Sequence, residues 1–286
     1  MKRNNIRVLI AACIILAGVL LILYPFISNS LYERQQEQVI FDYTEKTQKT
    51  DKESIAAEML RAVEYNEALS NNTVVLTDPF DENALSEDVL KEYHDILNLY
   101  GDGVMGYIEI PKISVSLPIF HGTDARTLEK GIGHLENTSL PISGESVHSV
   151  VSGHSGLSDK RLFTDLDLLE IGDQFYVQIL GEYFAYEVDQ ILVVEPYETE
   201  SLHITYGKDY MTLVTCTPYG VNSHRLLVRG SAVPYIPKAE EPQVQVQTKM
   251  QSQWMRQYIY AVALGMLVIA VILGGFKIIQ WRKRRL

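Results

Sequence analysis

Cysteine is almost missing from this chain. Of 286 residues only Cys13 and Cys216 carry a thiol. Cys13 lies in an apolar run of membrane-spanning length, out of reach of Cys216, which excludes an internal disulfide. No cysteine pair and no His-Glu-x-x-His spacing occurs, so the ligand sets of common zinc sites are absent. A glycine-rich phosphate loop and a dinucleotide fingerprint are lacking too, and no metal or cofactor is expected. Basic charge is scarce outside the two ends. Residues 28–255 hold all 36 acidic residues and only 16 of the 25 Lys and Arg, a net charge near −20. That balance argues against nucleic acid or an anionic lipid surface as the partner.

What is present at the ends is apolar. Ile6 to Ile27 carries one charge, Arg7, and Tyr258 to Phe276 carries none. Lys2, Arg3 and Arg7 flank the first run, and Lys277, Arg282, Lys283, Arg284 and Arg285 follow the second. Both runs read as membrane spans with their basic flanks in the cytoplasm, which puts the middle of the chain outside. Ser28-Asn29-Ser30 offers small residues for signal cleavage. An uncleaved anchor fits better, because the run is long for a signal core and Tyr24-Pro25-Phe26 approaches a cleavage site poorly. The expected division is an anchor at 1–29, helices at 30–72, a loop at 73–88, a barrel at 89–236, a polar linker at 237–255, and a second span with a basic tail at 256–286.

Between the spans the texture changes. Leu31 to Tyr43 and Glu53 to Leu69 carry good helix formers, with an apolar stripe at Ile55, Met59, Ala62 and Val63. Asp78-Pro79 should be extended or a turn, since the residue before proline avoids the helical region. From Gly106 on, short apolar runs alternate with Gly, Pro and Asn turns. The runs are 106–111, 115–120, 131–135, 147–152, 174–180, 184–194, 210–215 and 224–231, with a short helix at 165–169. Eight such strands predict a mainly β fold, an eight-stranded closed or nearly closed barrel.

Chemistry has few places to sit. Cys216 ends the strand from Thr212, just before the turn residues Pro218, Gly220 and Asn222. It is either a reactive thiol or a small core residue. Seven histidines are available: His94, His121, His134, His148, His154, His203 and His224. His154 stands out, between Gly153 and Ser155-Gly156 at the end of the apolar strand Val147–Ser152. It is either a solvated turn histidine or the base a thiol needs near neutral pH. Arg225 opens the strand after the turn, where a guanidinium is either a solvated charge or an oxyanion partner. Strand alternation puts Arg225 and Arg229 on one face and His224 on the other.

Thr212-Leu213-Val214-Thr215-Cys216 resembles the Thr-Leu-x-Thr-Cys signature of sortases. His154 precedes Cys216 by 62 residues and Arg225 follows it by 9, the sortase order. Gly133-His134-Leu135-Glu136-Asn137-Thr138-Ser139-Leu140-Pro141, Cys216-Thr217-Pro218-Tyr219-Gly220, the N-terminal helices and the C-terminal apolar run resemble the class C, pilus-assembling sortases of Gram-positive bacteria. The resemblance implies a cysteine transpeptidase. Its substrates are pilin subunits with a Leu-Pro-x-Thr-Gly-like signal, cut between Thr and Gly and joined to a lysine of another pilin. It implies Cys216 as nucleophile, His154 as acid and base, and Arg225 as oxyanion partner. Asp78-Pro79-Phe80 matches the Asp-Pro-aromatic lid of that class, with Phe where Trp is common. Gly153-His154-Ser155-Gly156 departs from the Ala-His-Arg-Gly of many members. The chain is expected to act as a monomer. The alternatives are a sortase that anchors proteins to the cell wall, a hydrolytic thiol peptidase, and a non-catalytic, membrane-tethered scaffold barrel.

Overall fold

The structure, a computed structural model, describes residues 2–71, 76, 78–80, 93–157, 159–237, 258–260, 262, 263 and 265. The expected linker beyond Pro237 and most of the second span lie outside the described residues, as does most of the loop expected at 73–88.

Helix α1 runs unbroken over Lys2–Lys49, through Pro25. The sequence separates an anchor at 1–29 from helices at 30–72, and a single helix runs across that boundary. Asn29 does not cap a new helix; its amide donates to Glu33 Oε1 at 2.9 Å, one turn on. Its Oδ1 accepts the backbone N–H of Arg161 at 3.0 Å. α1 holds the one stretch among the described residues long and apolar enough to cross a membrane. Its second half packs along the barrel. The Tyr43 hydroxyl donates to Met105 O at 2.7 Å and accepts the Leu180 N–H at 2.8 Å. Tyr258, at the start of the second apolar run, meets Phe26 edge-on at 4.7 Å.

Helix α2, Lys52–Ser70, starts at Asp51, whose carboxylate accepts the Ser54 N–H at 2.8 Å. Its buried positions are Glu58, Ala62 and Asn66, whereas Val63 of the expected stripe is exposed. The reason is what α2 covers: loop backbone that needs polar partners. Glu58 accepts the Leu97 N–H at 2.6 Å. The Asn66 amide brackets Leu140, accepting from its N–H at 2.7 Å and donating to its carbonyl at 3.2 Å.

The strands are β1 (Val104–Ile110), β2 (Val115–His121), β3 (Ile132–His134), β4 (Val147–Ser152), β5 (Gln174–Ile179), β6 (Glu182–Val194), β7 (Asp209–Thr217) and β8 (His224–Val233). They close a barrel in the order β1-β2-β3-β4-β7-β8-β6-β5. Two neighbouring pairs, β2 with β3 and β4 with β7, are parallel. Parallel neighbours need a crossover, and a short helix α3, Ala125–Lys130, supplies the first. The helix expected at 165–169 is a single 3-10 turn, Leu166–Leu168.

Alternation along the strands splits the apolar residues between two clusters. Val151, Leu213, Leu226 and Val228 join the main core inside the barrel. Val150, Val214 and Leu227, on the opposite faces, form a smaller cluster with Leu135 and Leu202. This second cluster lies on the outer face of β4, β7 and β8. Leu76, Phe80, Leu192 and Val194 pack onto it. β7 is therefore buried on both faces from Tyr210 to Cys216.

Candidate active site

Cys216 and Arg225 are direct partners in the antiparallel register of β7 and β8. The turn between them closes on Pro218, whose carbonyl accepts the N–H groups of Val221 and Asn222, each at 3.0 Å. Asn222 sits there at φ 61°, a conformation that asparagine tolerates better than most residues. By period two, Cys216 shares the outer face of β7 with Val214, and Arg225 that of β8 with Leu227.

His154 reaches this pair through the parallel register of β4 and β7. Val147 pairs with Asp209 and Ser152 with Val214. The register continues past the strand end. The Gly153 N–H donates to Val214 O at 3.1 Å, and Thr215 Oγ1 donates to Gly153 O, 62 residues away, at 2.7 Å. One residue further, the same offset aligns position 154 with position 216. The separation of 62 residues visible in the sequence is this register. Phe163 backs the turn: its N–H donates to His154 O at 3.1 Å, and a Cβ on Gly153 would stand 2.9 Å from its ring.

Both threonines of the Thr-Leu-x-Thr-Cys stretch thus tie β7 to β4. Thr215 holds the histidine turn, and Thr212 Oγ1 meets His148 Nε2 at 2.8 Å. Sequence reasoning named the stretch but gave neither threonine a task. Their signal was the threonine spacing itself, within one buried strand.

Asp78, Pro79 and Phe80 lie over the site. Arg225 Nε donates to Asp78 Oδ1 at 2.8 Å and Nη2 to Oδ2 at 2.6 Å, a fork-to-fork pair. The Phe80 ring lies between His154, 5.6 Å away centre to centre, and the Arg225 guanidinium at 4.9 Å. Pro79 is buried. Leu76, which the sequence reading left unremarked as a site residue, packs on the same outer cluster as Phe80.

This cover sets the electrostatics. Burial pushes the Cys216 thiol up; Arg225 pulls it down and Asp78 pushes it up again. Burial lowers the basicity of His154, as does Lys160, while Glu129 works the other way. Under the cover, burial therefore disfavours both the thiolate and the imidazolium. The guanidinium that favours a thiolate is occupied by a carboxylate. A thiol, an imidazole and a guanidinium are the side-chain types that nucleophilic thiol chemistry uses.

Three other histidines are parts of the framework. His134 contacts the Tyr93 hydroxyl at 2.9 Å and Ser139 O at 2.8 Å, and burial pushes it down to about 3. His148 bridges His203 O and Thr212 Oγ1, and burial pushes it down to about 4. His121 lies between Ile96 O and Gly103 O. Cys13 and Cys216 are both free thiols.

Residues 108–233 match the model of the Sortase domain. The chain is 34% identical over 131 residues to Sortase D of Bacillus subtilis (strain 168), a match covering 45% of this chain. It spans 63% of that relative, less than two thirds of its length. Among solved structures, sortase C-1 from Actinomyces oris is 49% identical, with a TM-score of 0.61 over 64% of this chain and 99% of that one. A Streptococcus pneumoniae sortase C is 40% identical, with a TM-score of 0.63 over 69% of this chain and 97% of that one. A closed eight-stranded barrel, a matching domain model and solved relatives covered almost end to end lead to one conclusion: the chain belongs to the sortase family, and its structural neighbours are class C members of it.

Proposed function

We propose that this protein is a membrane-anchored class C sortase, a cysteine transpeptidase that polymerises pilins. The observation that carries the reading is the convergence of Cys216, Arg225 and His154 under an Asp78–Phe80 cover. The structural neighbours are class C enzymes, and the S. pneumoniae sortase C is described in terms of pilin substrate specificity. Catalysis needs no metal or cofactor.

The substrate is a Leu-Pro-x-Thr-Gly-like segment laid along the outer face of β4, β7 and β8. Its leucine takes the apolar patch of Leu135, Val150, Leu202, Val214 and Leu227 that Leu76 and Phe80 now cover. When the cover leaves, Arg225 is released from Asp78 and the Cys216 proton moves to His154. The thiolate attacks the Thr carbonyl carbon, and the oxyanion is held by Arg225. His154 returns its proton to the departing glycine amine as the C–N bond breaks, leaving a thioester on Cys216. A pilin lysine amine attacks the thioester and passes its proton to neutral His154. Collapse forms the isopeptide bond and frees the thiol.

The proposed layout keeps an uncleaved anchor at 1–29, helices at 30–72, the lid at 73–88, the catalytic barrel at 89–236, a linker at 237–255 and a second span at 256–286. The barrel stands outside the cell and both termini inside. The test is incubation of the full chain, in detergent, with candidate pilins. Wild type should build a ladder of covalent multimers, and neither Cys216→Ala nor His154→Ala should. A ladder that persists with Cys216→Ala sinks the proposal, and a single anchored product in place of a ladder reassigns the enzyme to wall anchoring.

A further inference from the structure

The outer groove does not end at the apolar patch. Next to it lies a cavity of about 260 Å³, lined by Asn71, Thr138, His148, His203, Ile204 and Tyr206 and bordered by Leu76. We propose that this cavity is a second specificity subsite. It receives the side chain of the residue or two immediately N-terminal to the leucine of the sorting signal, and it prefers an uncharged side chain with an apolar body and a hydrogen-bonding tip. The inference rests on the sortase reading and adds a subsite to it.

Distance is the first argument. His148 in the cavity wall is bonded to Thr212, four residues before Cys216 on β7. A strand rises about 3.3 Å per residue, so Thr212 lies about 13 Å from Cys216 along the groove. An extended peptide beside β7 advances at the same rate. With the threonine carbonyl at Cys216, the leucine is three residues back, over the apolar patch. The next residue upstream comes level with Thr212 and the cavity mouth.

Polarity is the second. The chain's own Leu76 borders the cavity, while Asp78 and Phe80, later in sequence, reach Arg225 and His154. The covering segment thus runs from the cavity to the catalytic pair in the N-to-C direction. A peptide taking its place in the same direction points its upstream residues into the cavity and its scissile bond at Cys216.

Chemistry is the third. Among the described residues, the wall contains no carboxylate, lysine or arginine. Leu69, Leu202 and Ile204 give it apolar surface, and hydroxyl, amide and imidazole groups give it hydrogen-bonding partners. His148 is neutral, with both ring nitrogens already engaged by His203 O and Thr212. A charged side chain would lose water there without gaining a counter-ion. A tyrosine or asparagine would keep a polar contact and bury its body. Tyr206, 89% exposed at the rim, is placed to fold over it.

The experiment uses the full chain in detergent, carrying Cys216→Ala to prevent turnover and Asp78→Ala to release the cover. Binding of fluorescent Leu-Pro-Ala-Thr-Gly peptides is read by anisotropy, with Gly-Gly, Asn-Tyr or Asp-Asp directly upstream. The Asn-Tyr peptide should bind at least fivefold tighter than the Gly-Gly peptide, and the Asp-Asp peptide more weakly than either. Ile204→Trp, which fills the cavity, should erase the Asn-Tyr advantage, and Tyr206→Gly should reduce it. Equal affinities, an advantage that survives Ile204→Trp, or no binding by any peptide overturns the subsite. Wild-type ladder formation is read separately, so a sortase without upstream selection and an upstream-selective binder without transpeptidation give different results.

Discussion

Asp78 grips the Arg225 guanidinium with both carboxylate oxygens, at 2.8 and 2.6 Å, across 147 residues of sequence. The two side chains are 11% and 15% exposed, so water screens the pair less than it screens an ordinary surface ion pair. The contact ties down the cover and also pairs with a carboxylate the guanidinium that stands opposite Cys216 across β7 and β8. Steric and electrostatic blocking come from the same residue.

Breaking that contact should open the site. A charge-assisted pair of this kind contributes about 1–2 kcal/mol, and its loss shifts a closed–open equilibrium about 5–30-fold. Asp78→Ala is therefore expected to speed modification of Cys216 by a methanethiosulfonate reagent about tenfold. Phe80→Ala, which removes the ring between His154 and Arg225, should add to it. Unchanged labelling rates in both variants would show that Asp78 and Phe80 do not limit access to the thiol.

The same residue shapes the pH profile. Burial and the Asp78 charge raise the Cys216 thiol, and Arg225 lowers it. Reaction needs the thiolate, so wild-type labelling should rise with pH and reach its midpoint above the usual thiol value of about 8.5. Asp78→Ala deletes one raising influence and frees the lowering one, so its midpoint must move to lower pH. A midpoint that moves up, or a parallel gain in rate at all pH values, would separate the lid's steric effect from its charge.

Most of the barrel was legible because its strands obey period two and its turns carry Gly, Pro and Asn. All eight predicted runs became strands, to within a few residues at each end. The 62-residue step from His154 to Cys216 was visible as well, but only coordinates reveal it as the β4–β7 register. Three features were hidden for physical reasons. α1 runs on through Asn29 because that side chain is used laterally, and sequence does not announce which polar residue will cap. α2 buries Glu58 and Asn66 because it covers loop backbone, which hydrophobic periodicity does not report. Leu76 acts in the groove because an outer face of the barrel has its own apolar cluster, whereas a strand pattern alone shows only one inside.

The seating of His154 is open to a direct test. A Cβ on Gly153 would stand 2.9 Å from the ring of Phe163, which is fully buried and cannot swing away. Gly153→Ala should cost about 1–3 kcal/mol of overpacking and push the histidine turn off β7. Thr215→Val keeps the shape but removes the 2.7 Å bond to Gly153 O, at about 1 kcal/mol. Both should lower the rate of thioester formation by more than their loss of thermal stability explains, with Cys216 still titratable in the unfolded protein. A Gly153→Ala enzyme of wild-type activity would mean that the turn does not position His154.

The last test concerns the join between α1 and the barrel. The Tyr43 hydroxyl is buried and links three elements: it donates to Met105 on β1 and accepts from Leu180 at the end of β5, from its place on α1. Tyr43→Phe leaves the packing in place and strands a carbonyl and an N–H, a loss of about 1–3 kcal/mol. For a domain of this size that lowers Tm by roughly 2–10 °C. Cys216 labelling in the native state should be unchanged, because the site lies at the other side of the barrel's chain, on β4, β7 and β8. Equal stability of the Tyr43→Phe protein would mean that the second half of α1 rests on the barrel without bracing it. A shift in labelling would mean that α1 communicates with the candidate active site through β1 and β5.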